Sequence, residues 1–314
     1  MKTVIAIGGN ALVSPGGSGD IHDQFEHSRE VVKSMADLVQ HGWQITITHG
    51  NGPQVGSIMR RVEIASGEVY PIDLGLAVAD TQAGMGYMIA QTLMNELHHR
   101  GLDRIAVALV TSVVVDADDP AFANPTKPIG AFLSKDKAEL HRDRDGWKIV
   151  EDAGRGWRRV VASPRPRRIV EMPVLREMVQ AGHLIVAGGG GGIPVVINEH
   201  GEINGVEAVI DKDFTSAMIA ADVGADVLSL VTAVEHVSIN YGKPDQKPLE
   251  RVNVARIREL ISENQFPAGS MLPKVQAAIE FLERRGSRSA RAVITDLTHL
   301  PAALGGQTGT TITL

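Results

Sequence analysis

The sequence contains no cysteine, few aromatic residues and no long apolar run. Without cysteine, disulfide bonds, thiolate metal sites and cysteine nucleophiles are excluded. Only 4% of the residues are aromatic, so Val, Ile, Leu and Ala must build the core, as in layered α/β proteins. No apolar run approaches the roughly 20 residues of a membrane span, and residues 4–7 are too few for the core of a signal peptide. We therefore expect a cytoplasmic protein with no membrane partner.

Positive charge is also in deficit, since the formal net charge is −6. A negative chain argues against nucleic acid as the main partner. A local exception is the stretch 155–168, whose six arginines are Arg155, Arg158, Arg159, Arg165, Arg167 and Arg168. In an acidic protein we interpret them either as a rim that attracts an anionic substrate, or as partners in ion pairs within this segment and across a subunit contact.

Strand-like and helix-like patterns alternate along most of the chain, which predicts a mostly parallel sheet with helices on both faces. The predicted strands are 3–7, 43–48, 105–115, 183–187, 226–231 and 292–295, followed by a closing segment, TGTTITL. The predicted helices are 28–41, 80–99, 174–180, 214–223, 254–262 and 273–284. Residues 116–170 lack such a pattern and are too many for a structureless loop. We interpret them as an inserted lobe with a short hairpin around 147–150.

Three glycine-rich turns follow predicted strands: Gly8-Gly9-Asn10, His49–Pro53 and the five-glycine run at 188–192. One such turn is usually only a tight connection. Three at the carboxyl ends of parallel strands indicate a ligand site, where bare backbone amides hold phosphate or carboxylate oxygens. Neither the P-loop pattern nor the dinucleotide-binding GxGxxG pattern fits, so a different phosphate site is predicted.

Three lysines supply the cations that such a site needs. Lys127 lies between two prolines, whereas Lys212 and Lys274 lie at the starts of predicted helices, where a bound phosphate would compensate an unfavourable helix dipole. Of the two aspartates that flank Lys212, we expect one to cap the helix and the other to orient the lysines or reach a phosphate-bound Mg²⁺. His49 is assigned a positioning role at most, because an anionic phosphoryl acceptor needs no base.

Eight segments in order, from residue 6 to residue 278, closely resemble those of the carbamate kinases of the amino acid kinase family. They are AIGGNA, THGNGPQVG, NPTKPIG, GRGWRRVV, GGGGIPV, DKDFTSAMIA, INYGKP and GSMLPKVQAA. The resemblance implies one domain over 1–314, a three-layer αβα sandwich around a largely parallel sheet, and a protruding lobe at 116–170. It also implies a homodimer and the reversible reaction ATP + carbamate = ADP + carbamoyl phosphate, run toward ATP synthesis in arginine catabolism.

The resemblance also implies roles for the matching positions. The half 1–205 would hold carbamate and the phosphoryl group at Gly8, Gly9, Asn10, Gly50, Asn51 and Gly52. The half 206–314 would bind ATP or ADP, and the nucleotide-lining positions are Gly190, Gly191, Ala233, Val237, Asn240, Lys243, Pro244, Ser270 and Met271. The implied catalytic residues are Lys127, Lys212, Lys274 and Asp213. Mg²⁺ would be held mainly by nucleotide phosphates, with Asp213 as a further ligand.

Two departures from the wider family bear on the substrate. Acetylglutamate and aspartate kinases have lysine two residues before the first Gly-Gly, where this chain has Ala6; carbamate kinases share the absence, and Lys127 of the lobe would replace that charge. Ala233 stands where many members have aspartate, which bears on the nucleotide contacts. The alternatives are another acyl-phosphate-forming kinase of this fold and a non-catalytic nucleotide-sensing protein.

Overall fold

Strands and helices alternate along most of the chain. The computed structural model describes residues 1–8, 20–152, 154 and 156–314. The strands are β1 (Lys2–Ile7), β2 (Gln44–His49), β3 (Ala106–Ala108), β4 (Ser112–Val115), β5 (Lys127–Leu133), β6 (Lys148–Glu151), β7 (Trp157–Val161), β8 (Pro166–Ile169), β9 (Leu184–Val186), β10 (Ile193–Ile197), β11 (Ile203–Gly205), β12 (Val227–Thr232), β13 (Val237–Ile239), β14 (Lys247–Leu249), β15 (Arg251–Asn253), β16 (Arg291–Asp296) and β17 (Thr310–Thr313). The helices are α1 (Ile21–Gln40), α2 (Gly52–Ile64), α3 (Leu74–His99), α4 (Pro120–Ala123), α5 (Lys135–Asp145), α6 (Met172–Gln180), α7 (Lys212–Asp222), α8 (Val254–Ser262), α9 (Met271–Arg285) and α10 (Leu300–Leu304).

The central sheet has eight strands in the order β15-β17-β16-β12-β1-β2-β9-β3. From β16 to β3 every neighbouring pair is parallel, and β17 is antiparallel to β16. The carboxyl ends of β1, β2, β9, β12 and β16 therefore lie along one edge. The predicted, largely parallel sheet is confirmed.

Alternate residues of the central strands enter two separate hydrophobic clusters. Ile5 and Ile7 pack with residues of α1, α3 and α10 on one face of the sheet. Val4 and Ala6 pack on the other face, with residues of α6, α7, α8 and α9. Full burial of a side chain of isoleucine size stabilises the fold by about 1.5–3 kcal/mol, so each strand is held firmly from both sides. The three-layer αβα arrangement is confirmed.

Residues 127–161 form a small sheet of their own. Its strand order is β5-β7-β6, with antiparallel pairing throughout, and α5 connects β5 to β6. The hairpin predicted around 147–150 is confirmed as β6 with β7. The next strand, β8, instead pairs with β4 in a second sheet of order β11-β10-β4-β8. We use "the lobe" below for residues 127–161.

The prediction of one continuous strand over 105–115 is wrong. The chain leaves the central sheet after β3 and enters the second sheet as β4. Between the two strands, the side chain of Gln82 accepts a hydrogen bond from the amide of Thr111 and donates one to its carbonyl. These bonds bind the intervening backbone to α3, a tertiary contact that an apolar run cannot reveal.

Two helices differ from the sequence-based expectation. Helix α1 begins at Ile21, because Asp20 caps it by accepting from the amides of His22 and Asp23. Its first seven residues are exposed or only partly buried, so the apolar spacing that reveals the helix starts only later. Helix α2 is absent from the predicted helices, since its first residues belong to a glycine- and proline-rich turn. None of the described helices combines the length and apolarity that crossing a bilayer requires.

Candidate active site

The glycine-rich turns follow strands that end at the same edge of the central sheet. Ile7, the last residue of β1, pairs with His49, the last residue of β2, and Ile47 pairs with Val186 at the end of β9. Gly8, Gly50 and Gly188, which follow these strand ends, are thus neighbours in space, as predicted. Gly9 and Asn10 lie outside the described residues.

The five-glycine turn is packed tightly against the turn after β2. A Cβ atom on Gly189 would lie 2.4 Å from Nε2 of His49, and one on Gly190 would lie 2.1 Å from Nδ2 of Asn51. Gly190 also has a φ of +64°, which side chains rarely adopt. The sequence predicts that the missing Cβ atoms make room for a ligand, but here they make room for protein side chains. Gly190 and Gly191 are themselves buried in the protein.

The turn after β2 leads directly into α2. Asn51 precedes the helix, and its side-chain Nδ2 donates to Oγ1 of Thr81, 2.8 Å away, instead of capping α2. Thr81 in turn donates to the carbonyl of Val78. The amides of the first turn of α2 are therefore left without a side-chain cap from Asn51. Because unsatisfied amides and the helix dipole favour anions, this end of α2 suits a phosphate or carboxylate group.

Two aspartates hold the three predicted lysines. Asp213 accepts from Nζ of Lys212 at 2.5 Å and from Nζ of Lys274 at 2.8 Å. Asp211 accepts from Nζ of Lys127 at 2.7 Å. Asp211 is also the N-cap of α7, since its Oδ1 accepts from the Asp213 amide. The expectation that one aspartate caps the helix is confirmed, and the other contacts two of the lysines. The pairing of Asp211 with Lys127 is not foreseen by the sequence.

Burial and charge fix the ionisation of this cluster. Burial acts to raise the pKa of Asp213, but the ammonium groups of Lys212 and Lys274 outweigh it and hold that pKa well below its usual range. Burial also lowers the pKa of Lys212, and the Asp213 carboxylate opposes that change. Counted at their ordinary charges, three lysines face two aspartates, which leaves one positive charge in excess. An anionic ligand would complete the balance.

His49 is buried beside this cluster. Burial lowers the pKa of His49 to about 4, which the hydrogen bond with the Gly50 carbonyl opposes and the positive charge of Lys212 reinforces. The ring is therefore neutral at pH 7. A ring with so low a pKa is a weak base, which agrees with the prediction that His49 has a positioning role at most.

Apart from Gly190 and Gly191 of the five-glycine turn, the predicted nucleotide-lining residues fall into two groups. Ala233 directly follows β12, while Ser270 and Met271 stand at the start of α9, in the helix that carries Lys274. The hairpin of β13 and β14 carries the remainder. Val237 is fully buried, and its amide donates to Thr310.

The turn of that hairpin contains Asn240, Lys243 and Pro244. Asn240 has a left-handed φ of 52°, and its side chain donates to Asp245. Lys243 and Pro244 are exposed. Lys243 and Pro244 are thus accessible to a ligand, whereas the Asn240 side chain is partly buried and bound to Asp245.

Most of the arginine-rich stretch makes ion pairs. Arg158 contacts Asp152 at 3.1 Å, Arg167 contacts Asp116 at 3.4 Å and Arg159 contacts Glu207 at 3.6 Å. Arg155 lies outside the described residues. Ion pairing within the chain is therefore the better interpretation for these three arginines. In the described part of the chain, no group of three or more His, Asp or Glu side chains is arranged to hold a metal ion.

Comparison with known proteins places this geometry in a family. The model of the amino acid kinase family matches residues 1–296. A carbamate kinase-like protein of Escherichia coli (strain K12) is 47% identical over 312 residues, which cover 98% of each chain. Carbamate kinase of Thermococcus kodakarensis is 46% identical over 315 residues, 99% of this chain and 98% of the relative. The solved structure of carbamate kinase from Giardia lamblia bound to AMP-PNP matches with a TM-score of 0.90 and 38% identity, covering 99% of this chain and 98% of that one.

These matches extend over nearly the whole chain and agree with its three-layer fold. The family model also spans all eight sequence segments, from residue 6 to residue 278. The chain belongs to the amino acid kinase family and is a phosphotransferase.

Proposed function

We propose that this phosphotransferase is a carbamate kinase, which catalyses ATP + carbamate = ADP + carbamoyl phosphate. The observation that carries the proposal is the convergence of Lys127, Lys212 and Lys274 on Asp211 and Asp213. The relatives named carbamate kinase, one of them solved with AMP-PNP, support both the acceptor and the nucleotide. We further propose that the cytoplasmic enzyme runs toward ATP synthesis in arginine catabolism.

In that direction an oxygen of the ADP β-phosphate attacks the phosphorus atom of carbamoyl phosphate. The bond from this phosphorus to the carbamate oxygen breaks. The phosphoryl group passes to ADP, and carbamate leaves as an anion. Such a transfer depends mainly on positioning and on stabilising the charge of the moving group. Lys127, Lys212 and Lys274 are proposed to supply that charge. No proton has to be removed, which suits a site whose buried histidine is a weak base because its pKa is lowered to about 4.

The phosphoryl group and carbamate are proposed to lie between the lysines and the turns after β1 and β2. Gly8, Gly50 and Gly52 offer backbone without side chains at this edge, and Asn51 is held by Thr81. Gly9 and Asn10 belong to the same proposed site by their place in the sequence. The half 1–205 would thus hold carbamate, and the half 206–314 would hold the nucleotide. Lys127 would extend from the lobe to Asp211 of the second half.

Mg²⁺ is proposed to enter with the nucleotide phosphates, whose charge it neutralises when bound. Each oxygen of Asp213 already accepts from a lysine. This carboxylate therefore fits an orienting role better than that of a direct metal ligand. Its proposed task is to hold the two ammonium groups toward the phosphates.

Ala6 supports carbamate over the acceptors of the wider family. It is fully buried in β1, paired with Thr48 and Leu230, and adds no charge to the cleft. The missing cation is replaced by Lys127, which reaches Asp211 from the lobe. Another acyl-phosphate-forming kinase of this fold remains the alternative, and its acceptor would be another small carboxylate.

We also propose a homodimer. Leu76 and Tyr87 are exposed on α3, eleven positions apart, which is about three helical turns and so the same face. The exposed side chains of Val69 and Tyr70 precede this helix. Light scattering during size-exclusion chromatography measures the mass, and Leu76→Glu with Tyr87→Glu should give monomers. A single-chain mass for the parent protein contradicts the proposal.

The function is tested by ATP formation from ADP and carbamoyl phosphate in a coupled assay. We expect ATP with Mg²⁺ or Mn²⁺ and none in excess chelator. Acetyl phosphate at equal concentration should react far more slowly. Equal rates with both acyl phosphates would favour the alternative kinase, and ADP binding without any turnover would favour a nucleotide sensor.

A further inference from the structure

Two glycine backbones touch where the lobe meets α2. A Cβ atom on Gly56 would lie 2.9 Å from Cα of Gly130 and 3.3 Å from its amide nitrogen. Both neighbours are backbone atoms, which cannot rotate away as a side chain can. Helix α2 and strand β5 are therefore as close as they are only because residue 56 has no side chain.

This contact lies between two parts of the proposed active site. Gly56 is on the helix that starts at Gly52, and Gly130 is on the strand that starts at Lys127. Around it, one small apolar cluster joins α2 and α3 to the lobe and to the segment before Asp211. Its buried members are Val55, Leu74, Val78, Ile129, Val161 and Val209.

Strand β5 and its backbone hydrogen bonds connect this contact to Lys127. Lys127 pairs with Val161 of β7, and the next residue, Ala162, accepts from the amide of Val209. Two residues further on, Asp211 accepts from the Lys127 side chain at 2.7 Å. The distance between β5 and α2 therefore bears directly on where the Lys127 ammonium group stands.

We propose that Gly56 is a positioning residue that sets how deeply the lobe packs against α2, and through it the location of the Lys127 ammonium group. This inference rests on the proposed function of Lys127 in phosphoryl transfer. A methyl group at position 56 must move from 2.9 Å to the 3.4 Å or more of ordinary contact, a shift of roughly half an ångström or more. Misplacement on this scale has large effects on rate, since about 1 Å can cost 10²-fold.

The test is Gly56→Ala, alone and combined with Lys127→Ala. We expect Gly56→Ala to lower kcat by about tenfold or more, with the ADP dissociation constant within about twofold of the parent. In the Lys127→Ala background the same substitution should have no further effect on kcat, because the group through which it acts is gone.

Two other glycines of one helix provide matched controls. Gly84 on α3 is exposed, and a Cβ atom there would have no other atom within 4 Å, so Gly84→Ala should leave kcat unaffected and cause no loss of stability. A Cβ atom on Gly86 would lie 2.8 Å from Cβ of Ala108, in a contact that does not involve the lobe. Gly86→Ala should lower the melting temperature and leave kcat unaltered, which separates strain in general from strain at the lobe.

A second readout does not depend on turnover. The Lys127 side chain is 38% exposed, so an amine-acetylating reagent can reach it. By peptide mass spectrometry, Lys127 should be acetylated faster in Gly56→Ala than in the parent or in Gly84→Ala, because its contact with Asp211 is loosened. This result is expected whatever acceptor the enzyme uses.

The outcomes separate the inference from the proposed function. If Lys127→Ala loses turnover while Gly56→Ala keeps the parental kcat and acetylation rate, the positioning role is wrong and the proposed function stands. An equal further loss of kcat in the Lys127→Ala background also overturns it, since Gly56 would then act elsewhere. If the parent makes no ATP from carbamoyl phosphate, the proposed function is wrong, and faster acetylation in Gly56→Ala would still support the positioning role.

Discussion

Nζ of Lys127 lies 2.7 Å from Oδ2 of Asp211, although 84 positions separate the two residues in the sequence. Asp211 is also the N-cap of α7, the helix that begins with Lys212. One carboxylate thus connects the lobe to the helix that carries two further members of the charged cluster, Lys212 and Asp213. This arrangement makes the contribution of each charged residue separable by mutation.

Lys127→Ala should keep the fold and the affinity for ADP but lose turnover. Removing one preorganised charge-stabilising donor costs about 10²–10³ in kcat. The side chain is partly exposed, and without it Asp211 still accepts a hydrogen bond from the Asp213 amide as the N-cap of α7. Little stability should therefore be lost. The measurements are kcat and calorimetric binding of ADP, with Lys135→Ala as a control at an exposed lysine of the same lobe. A kcat within about threefold of the parent contradicts the assignment.

Lys274→Ala should weaken ADP binding as well as turnover. Lys274 stands in the first turn of α9, three positions after the predicted nucleotide contact Met271, and is only 12% exposed. Lys274→Arg should restore little, because the larger planar guanidinium group cannot replace a compact ammonium beside Asp213. Calorimetry with ADP gives the binding constant. A dissociation constant equal to that of the parent would limit Lys274 to the chemical step.

The sequence predicts most of what is local in this fold and less of what is tertiary. Strands such as β1 and β12 follow from short apolar runs, and helix α8 has the predicted bounds because its apolar spacing is regular. The single strand expected over 105–115 divides, since Gln82 holds Thr111 away from the sheet. No local pattern contains that contact.

The same division applies to the site. Lysines at helix starts and glycines after strands are visible in the sequence as unusual local combinations. That Lys127 meets Asp211 depends on how the lobe packs, and that Gly190 makes room for Asn51 depends on the neighbouring turn. The role of Gly56 cannot be predicted from the sequence either, because only its contact with Gly130 distinguishes it from other helical glycines.

Asp213→Asn should destabilise the protein markedly at pH 7. The carboxylate is 5% exposed and holds two ammonium groups, so its loss leaves buried positive charge without a partner. Breaking a buried ion pair in this way costs about 3–5 kcal/mol of the free energy of unfolding. Urea unfolding measures this, and inorganic phosphate should recover part of the loss in the variant. Asp245→Asn, in an exposed turn, is the control.

The pH dependence of the free energy of unfolding gives a further test of Asp213. Its pKa is lower in the folded than in the unfolded protein, so its stabilisation is complete above the unfolded value of about 4 and is lost as the pH falls through the folded value. The free energy of unfolding of Asp213→Asn should therefore stay below that of the parent over most of the pH range. The difference between the two proteins should shrink only at strongly acidic pH. A deficit that disappears already near pH 6 contradicts the assignment.

The buried His49 should make the protein sensitive to mild acid. Its pKa is about 4 when folded, against 6.5 as the ordinary value. Below pH 6.5 the unfolded chain takes up a proton that the folded chain does not, so stability is complete above pH 6.5 and falls as the pH decreases toward 4. The loss at pH 4 is about 3 kcal/mol from this one residue.

His49→Gln should flatten this dependence, because glutamine does not titrate. The difference in unfolding free energy between pH 7 and pH 5, from urea titrations, should be about 2 kcal/mol smaller in the variant than in the parent. His200→Gln, at a side chain 73% exposed, should leave the difference unaltered. Turnover at neutral pH should show no ionisation near 6.5, since the neutral ring removes no proton from an acceptor that is already an anion. If His49→Gln has the same acid sensitivity as the parent, the ring is charged in the folded protein and must have an anionic partner that the cluster of Asp211 and Asp213 does not supply.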